Sequence, residues 1–141
     1  INIVYNVYFN SCFFEDNTKG GINLSYNNSY GAVLVNVRDC YFEGNSGYDI
    51  YLKSYGQGSH NFYGNTFNRV SNKKFTENNI YIEIDSSIPN VFENSINMEG
   101  NGFFSANTYQ PSDKRKNVKI VSNNRKTNIT DNNSYRNPIE K

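Results

Sequence analysis

The chain has no Trp, one Met, one His, two Cys and three Pro among its 141 residues. Two cysteines are too few for the disulfide framework that staples small secreted domains. Ala and Leu are scarce while roughly one residue in five is Asn, so the strong helix formers are missing. No apolar run approaches the ~20 residues that cross a bilayer as a helix, and membrane insertion is not expected. A basic segment leading into an apolar one, the mark of a secretory signal, is also lacking. Excess charge of one sign is absent: 14 Lys and Arg stand against 13 Asp and Glu, a net charge of +1. So balanced a chain sets up no field that would attract nucleic acid. There is no HExxH, paired CxxC, Walker or EF-hand pattern, and Asp39, Asp49 and Asp85 form no evident Ca²⁺ cage. Neither a metal nor a cofactor is expected. His60 has no nucleophile motif beside it and reads as a surface turn residue.

What the chain does have is rings. Twelve Tyr and ten Phe sit in a sequence whose mean hydropathy is -0.75. Disordered chains are depleted in aromatics, strands are enriched in them, and Asn, Gly and Ser supply turns. The composition is all-β. The first residues, INIVYNVYF, already alternate like a strand and carry no initiator Met, so the chain reads as a piece of a longer one.

One stretch repeats. NSCFFEDN at 10–17 returns as RDCYFEGN at 38–45, and GNTF places Phe67 after Phe14 and Phe42 at nearly even intervals. A second strand follows at a constant offset, with Ile22 after Phe14 and Ile50 after Phe42. A third precedes the motif, in Val7 and Phe9, then Val33, Val35 and Val37, then Phe62. Each period of about 25 residues therefore holds three short strands and no helix, which is the pattern of a solenoid. Leucine-rich repeats share the period, but this chain has too little Leu to fill them. A right-handed parallel β-helix fits, with like residues stacked at about 4.8 Å. Alternation then points Cys12 and Phe14 inward beneath Cys40 and Phe42, with Asn65 and Phe67 continuing the rows. An inward Asn65 requires hydrogen-bond partners, and Asn17 over Asn45 would form an amide ladder. The two Cys read as buried reduced thiols rather than a redox or metal pair.

Residues 1–85 carry the regular coils, and 86–141 read as irregular terminal coils. VSNKKFTEN at 70–78 reads as an inserted loop. An irregular coil near 94–96 would place Met98 and Phe104 in the core. The basic run from Lys114 to Lys126 reads as a solvated tail or an interface.

The rows Cys12–Phe14, Cys40–Phe42, Asn65–Phe67, Asn107–Tyr109 and Asn133–Tyr135, with the GINL and DIYL strands, resemble the pectate-lyase-like β-helix superfamily. Within it, the Asn- and Tyr-rich, Ala-poor composition is most similar to bacteriophage tailspikes. That resemblance implies a homotrimer on the virion tail that binds bacterial capsular or exopolysaccharide and cuts it, by glycoside hydrolysis or by elimination. A cellular pectate-lyase-type enzyme would show a clearer Asp cluster for Ca²⁺. A non-catalytic adhesin or stalk is the rival on the same fold.

Alternation also names outward residues. Phe13 over Tyr41 would suit the apolar face of a sugar ring, or a trimer contact. Glu15 over Glu43 would bring two carboxyl groups near the spacing of a retaining glycosidase pair. Asp39 is a third candidate carboxylate, placed too far along the strand from Glu43 for the inverting spacing. On the second strand Tyr51 over Tyr81 forms another platform. Lys53 pairs with Glu83 there, and either Lys53 or Arg38 could neutralise a uronate or remove its proton in an elimination.

Overall fold

The computed structural model describes residues 6–26, 32–69, 76–85, 93–105, 116–122 and 127–135. These residues hold twelve strands and no helix, and the strands come in runs of three. The first run is β1 (Asn6–Asn10), β2 (Phe13–Glu15) and β3 (Ile22–Tyr26). The second is β4 (Ala32–Arg38), β5 (Tyr41–Glu43) and β6 (Gly47–Ser54), and the third is β7 (Gln57–Tyr63), β8 (Thr66–Arg69) and β9 (Thr76–Ile84). Then follow β10 (Asn94–Ser105), β11 (Lys116–Ser122) and β12 (Thr127–Tyr135). Every pairing between them is parallel. One sheet runs β1-β4-β7-β10-β8-β5-β2 with β12 also on β10, and the other runs β11-β9-β6-β3. The all-β class expected from the composition and the parallel pairing expected from the repeat are therefore present.

Corners set this path. Between the first and second strands of each run, Ser11, Asp39 and Gly64 hold φ of 52°, 53° and 64°. Gly100 repeats the turn within β10 at 66°. This left-handed conformation is open to Gly and tolerated by small polar residues. At position 64 a Cβ would lie 2.5 Å from an Asp39 carboxylate oxygen, so glycine leaves that side chain its present place. After each corner comes an inward residue, and from the third run onward it is Asn. The Asn65 side chain accepts from the Cys40 backbone N–H at 3.0 Å and donates to the Val37 carbonyl at 2.9 Å. Asn101 does the same for the Asn65 N–H and the Phe62 carbonyl, and Asn133 accepts from the Asn101 N–H. A second corner follows β2 and β5, where Asn45 accepts from the Asn17 N–H and donates to the Phe14 carbonyl.

The partners that the inward Asn65 needs are thus the backbone of the preceding layer. The fourth member of this row is Asn101–Phe103 rather than Asn107–Tyr109, which lies outside the described residues. Sequence spacing skipped it because β10 fuses two strands into one. Gly102 and Phe103 pair with Thr66 and Phe67, after a two-residue break from the span that pairs with β7.

The register stacks rings. Phe14, Phe42, Phe67 and Phe103 lie in one column with centroids 5.0–5.1 Å apart and planes within 14° of parallel. Ile22, Ile50, Ile80 and Val118 form a second inward row, and Leu24, Leu52, Ile82 and Ile120 a third. Met98 is buried as expected, but Phe103 rather than Phe104 fills the interior, and Phe104 points out. The Gly100 corner shifts the alternation by one position. Of the supposed loop at 70–78, residues 76–78 belong to β9, with a register shift opposite Gly47 and Tyr48. The remainder lies outside the described residues.

His60 is not on the surface. It is fully buried on β7, in register between Val35 and Ile96. The Ser95 carbonyl, 3.1 Å away, can only accept, so His60 Nδ1 donates to it. Nε2 then accepts from the Tyr26 hydroxyl. Burial drives the imidazole pKa down to about 4 and the Tyr26 phenol up to about 12.

Two outcomes follow from this interior. Phe42→Ala should cost about 3–5 kcal/mol in urea unfolding, whereas Phe13→Ala, which removes a ring that is 76% exposed, should change it by less than about 0.5 kcal/mol. His60 is neutral when folded and gains a proton on unfolding in acid. Its contribution is therefore complete above pH ~6.5 and declines as the pH falls toward 4, by about 3 kcal/mol in all. Urea midpoints across that range should show the decline in the wild type and lose it in His60→Phe.

Candidate functional site

The outer face of the β3-β6-β9-β11 sheet carries the densest set of chemistry. With Ile50 and Leu52 inward, Tyr51 and Lys53 must point out, and parallel register repeats this on each neighbour. Asn23, Tyr51, Tyr81 and Lys119 form one outward row, and Ser25, Lys53, Glu83 and Val121 the next. The Tyr51 and Tyr81 centroids are 5.2 Å apart, and Lys119 Nζ sits 4.7 Å from the centre of the Tyr81 ring. Tyr48 joins them 5.2 Å from Tyr51 because alternation breaks beside it. Asp49 and Ile50 both face inward there. The buried Asp49 carboxylate accepts from Asn45 Nδ2 at 2.8 Å and Asn79 Nδ2 at 2.6 Å, which turns that side chain inside and leaves Tyr48 outside.

The three rings wall a cleft of about 380 Å³ whose other lining includes Glu77, Glu83 and Lys119. Glu83 uses both carboxylate oxygens: one meets Lys53 Nζ at 2.8 Å, and the other accepts from the Tyr51 hydroxyl at 3.0 Å. Burial first, and then the carboxylate, push the Tyr51 phenol up to about 12. The same carboxylate raises the Lys53 ammonium, while Lys53 and Tyr51 together lower Glu83. Lys53 is therefore a fixed cation. Rings against the apolar face of a pyranose, with carboxylates and ammoniums at its hydroxyls, are what such a cleft can offer.

The second group lies on the other sheet. Phe13 and Tyr41 are in register on β2 and β5 with centroids 5.8 Å apart, and Glu15 is in register with Glu43. The Glu43 carboxylate accepts from the Tyr41 hydroxyl and from Asn68 Nδ2, the latter at 3.0 Å. That bond to Glu43 is the main reason the Tyr41 phenol pKa is raised. Glu15 is exposed, and among the described residues β2 ends its sheet. Asp39 does not share a strand with Glu43 as the alternation suggested. It occupies the left-handed corner before β5, where its N–H donates to the Tyr63 carbonyl. Arg38 is exposed, 5.8 Å from the centre of the Tyr63 ring.

The candidate residues thus divide between two sheets. Phe13, Tyr41, Glu15 and Glu43 form one set and Tyr51, Tyr81 and Lys53 the other, with Asp39 at a corner. Sequence reasoning missed Tyr48, Glu77 and Lys119. Lys119 was recoverable, because Val118 and Ile120 match the apolar frame of Ile80 and Ile82 around Tyr81. Tyr48 was not, because its placement depends on a buried Asp that composition would put outside. No protein-family model, curated protein or solved structure matches the chain.

Replacing Glu83 by Gln removes the carboxylate but not the burial at Tyr51. Ring-resolved NMR titration should find the Tyr51 pKa below its present value of about 12 yet still above that of a free phenol. The urea midpoint should not move, because Lys53–Glu83 is a solvent-screened surface pair.

Proposed function

We propose that this chain is part of a right-handed parallel β-helix of the bacteriophage tailspike type, trimeric and carried on the virion tail, that binds bacterial capsular or exopolysaccharide. The observation that carries the binding reading is the Tyr48–Tyr51–Tyr81 wall with Lys119 beside its last ring. Three half-buried rings on a water-facing sheet are costly unless something apolar covers them, and a run of sugar rings is such a cover. The runs of three parallel strands support the solenoid, and right-handed crossovers are the rule for parallel connections.

The reaction assigned to the chain is endo-glycosidic hydrolysis, with Glu15 and Glu43, on the other sheet from the tyrosine wall, as the carboxylate pair. Adjacent parallel strands separate them by about 4.8 Å at the backbone, in keeping with a retaining pair. The hydrogen bonds from Tyr41 and Asn68 hold Glu43 in one orientation, as a nucleophile requires. Exposed Glu15 would act as the acid. Elimination with Lys53 as base is the weaker reading, because Glu83 keeps that ammonium protonated.

The test is incubation of the protein with purified capsular polysaccharides, following viscosity together with the ultraviolet absorbance of an unsaturated uronate. Hydrolysis predicts a fall in viscosity without the absorbance, abolished in Glu15→Gln and Glu43→Gln. A fall with the absorbance would replace hydrolysis by elimination. Binding without any fall would assign the chain to an adhesin or stalk. In each case Tyr81→Ala should weaken binding about tenfold at an unchanged urea midpoint, a loss of roughly 1.4 kcal/mol. Equal affinity in wild type and Tyr81→Ala would remove the aromatic cleft from the reading.

A further inference from the structure

We infer that Cys12 and Cys40 form a redox modification site, closing to a disulfide that ties the first run of strands to the second. Such a bond would form whether or not the chain binds polysaccharide.

The two cysteines occupy the same place in consecutive layers. Ser11 and Asp39 hold the same left-handed corner, at φ of 52° and 53°, and each turns the residue that follows it inward. Phe13 is in register with Tyr41, which puts Cys12 opposite Cys40, and the Tyr41 N–H donates to the Cys12 carbonyl at 2.9 Å. The thiols also point the same way. Cys12 Sγ lies 3.3 Å from the Asn10 carbonyl oxygen and Cys40 Sγ 3.2 Å from that of Arg38, and Asn10 is in register with Arg38. Neighbouring parallel strands are about 4.8 Å apart, within the ~4.4–6.8 Å that separates the Cα atoms of bridged cysteines. Both cysteines are thiols here.

The later steps of this row are tied by amides. Asn65 reaches back to the Cys40 N–H and the Val37 carbonyl, Asn101 to the Asn65 N–H and the Phe62 carbonyl, all at 2.8–3.0 Å. Cys40 stands in the same relation to the first layer, but there a thiol reaches back, 3.5 Å to the Phe9 carbonyl. A thiol is a weak donor, so this is the loosest tie of the row. An S–S bond would make it covalent. It would also act where hydrogen bonding is thinnest, because β1 and β2 each pair on one side among the described residues.

A small-molecule disulfide such as oxidised glutathione is the oxidant. Cys12 is half-buried and Cys40 is 2% exposed, so Cys12 meets it first. The Cys12 thiolate attacks one sulfur of the oxidant, forms a mixed disulfide and expels a thiolate. The Cys40 thiolate then attacks Cys12 Sγ and expels the second. Two protein thiols become one S–S bond, the oxidant becomes two thiols, and the two protons pass to them. Burial pushes the Cys40 thiol pKa up, so the closing step quickens as the pH rises. Parallel side chains keep the two Cβ atoms near the strand spacing, somewhat farther apart than a relaxed bridge prefers. A bridge strained in this way is readily reduced, which makes the site reversible.

The test treats the native protein with oxidised glutathione, quenches it in acid and maps its tryptic peptides without reduction. The peptide ending at Lys19 should be found joined to Asp39–Lys53, and dithiothreitol should separate them. The link should form at least about tenfold more readily in the native protein than in urea, because the fold holds the sulfurs together. Hydrogen exchange of the β1 and β2 amides should slow when the link closes, and Cys12→Ser should show neither the link nor the slowing. Glutathione on Cys12 with Cys40 left as a thiol would overturn the inference. So would a link that forms as readily in urea, or one that leaves the β1 and β2 amides exchanging as before.

Discussion

The structure depends on one recurring interaction, an inward amide that completes the hydrogen bonding of the layer before it. A left-handed corner turns the backbone out of the ladder and would leave an N–H and a carbonyl buried without partners. Asn65, Asn101 and Asn45 each supply an acceptor to that N–H and a donor to that carbonyl. The amides also bond to one another, Asn65 to Asn101 and Asn101 to Asn133, so the corner is tied along the stack as well as across it. An apolar residue at these positions would leave both backbone groups unpaired.

Once the corners hold register, the rest propagates. A one-residue slip would turn every side chain of a strand to the opposite face, so fixing the corner fixes the phenylalanine column inside and the tyrosine wall outside together. The surface of each strand is in this sense dictated by its interior. Tyr51, Tyr81 and Lys119 align because Ile50, Ile80 and Val118 do. The departure at Asp49 is itself an amide effect. Its buried carboxylate is held by Asn45 and Asn79, and the resulting break in alternation exposes Tyr48.

Charge is used sparingly on the outer faces. Glu83 is consumed by Lys53 and Tyr51, and Glu43 by Tyr41 and Asn68, so both carboxylates are oriented rather than free to sample rotamers. Glu15 and Lys119 are the more exposed members of their respective faces. Preorganised groups beside exposed ones are suited to recognition, because little ordering entropy remains to be lost when a ligand arrives. The two faces differ in chemistry: two rings with a carboxylate pair on one, and three rings with balanced charge on the other.

The sequence by itself determined the all-β class, the parallel register of Phe14, Phe42 and Phe67, and the outward alignment of Tyr51 with Tyr81. Those follow from period-two alternation and from intervals between like residues, which local chain geometry enforces. It also anticipated the Asn17–Asn45 ladder and the need for partners at Asn65. Only the tertiary structure decided the remainder. His60 and Asp49 are buried because partners distant in sequence, Tyr26, Ser95 and Asn79, satisfy them, and no composition rule sees such partners. Asp39 left the strand because its corner is recognised by φ, not by residue type. Phe103 displaced Phe104 from the core because the turn at Gly100, like those at Asp39 and Gly64, inverts the alternation, here inside what is otherwise one continuous strand.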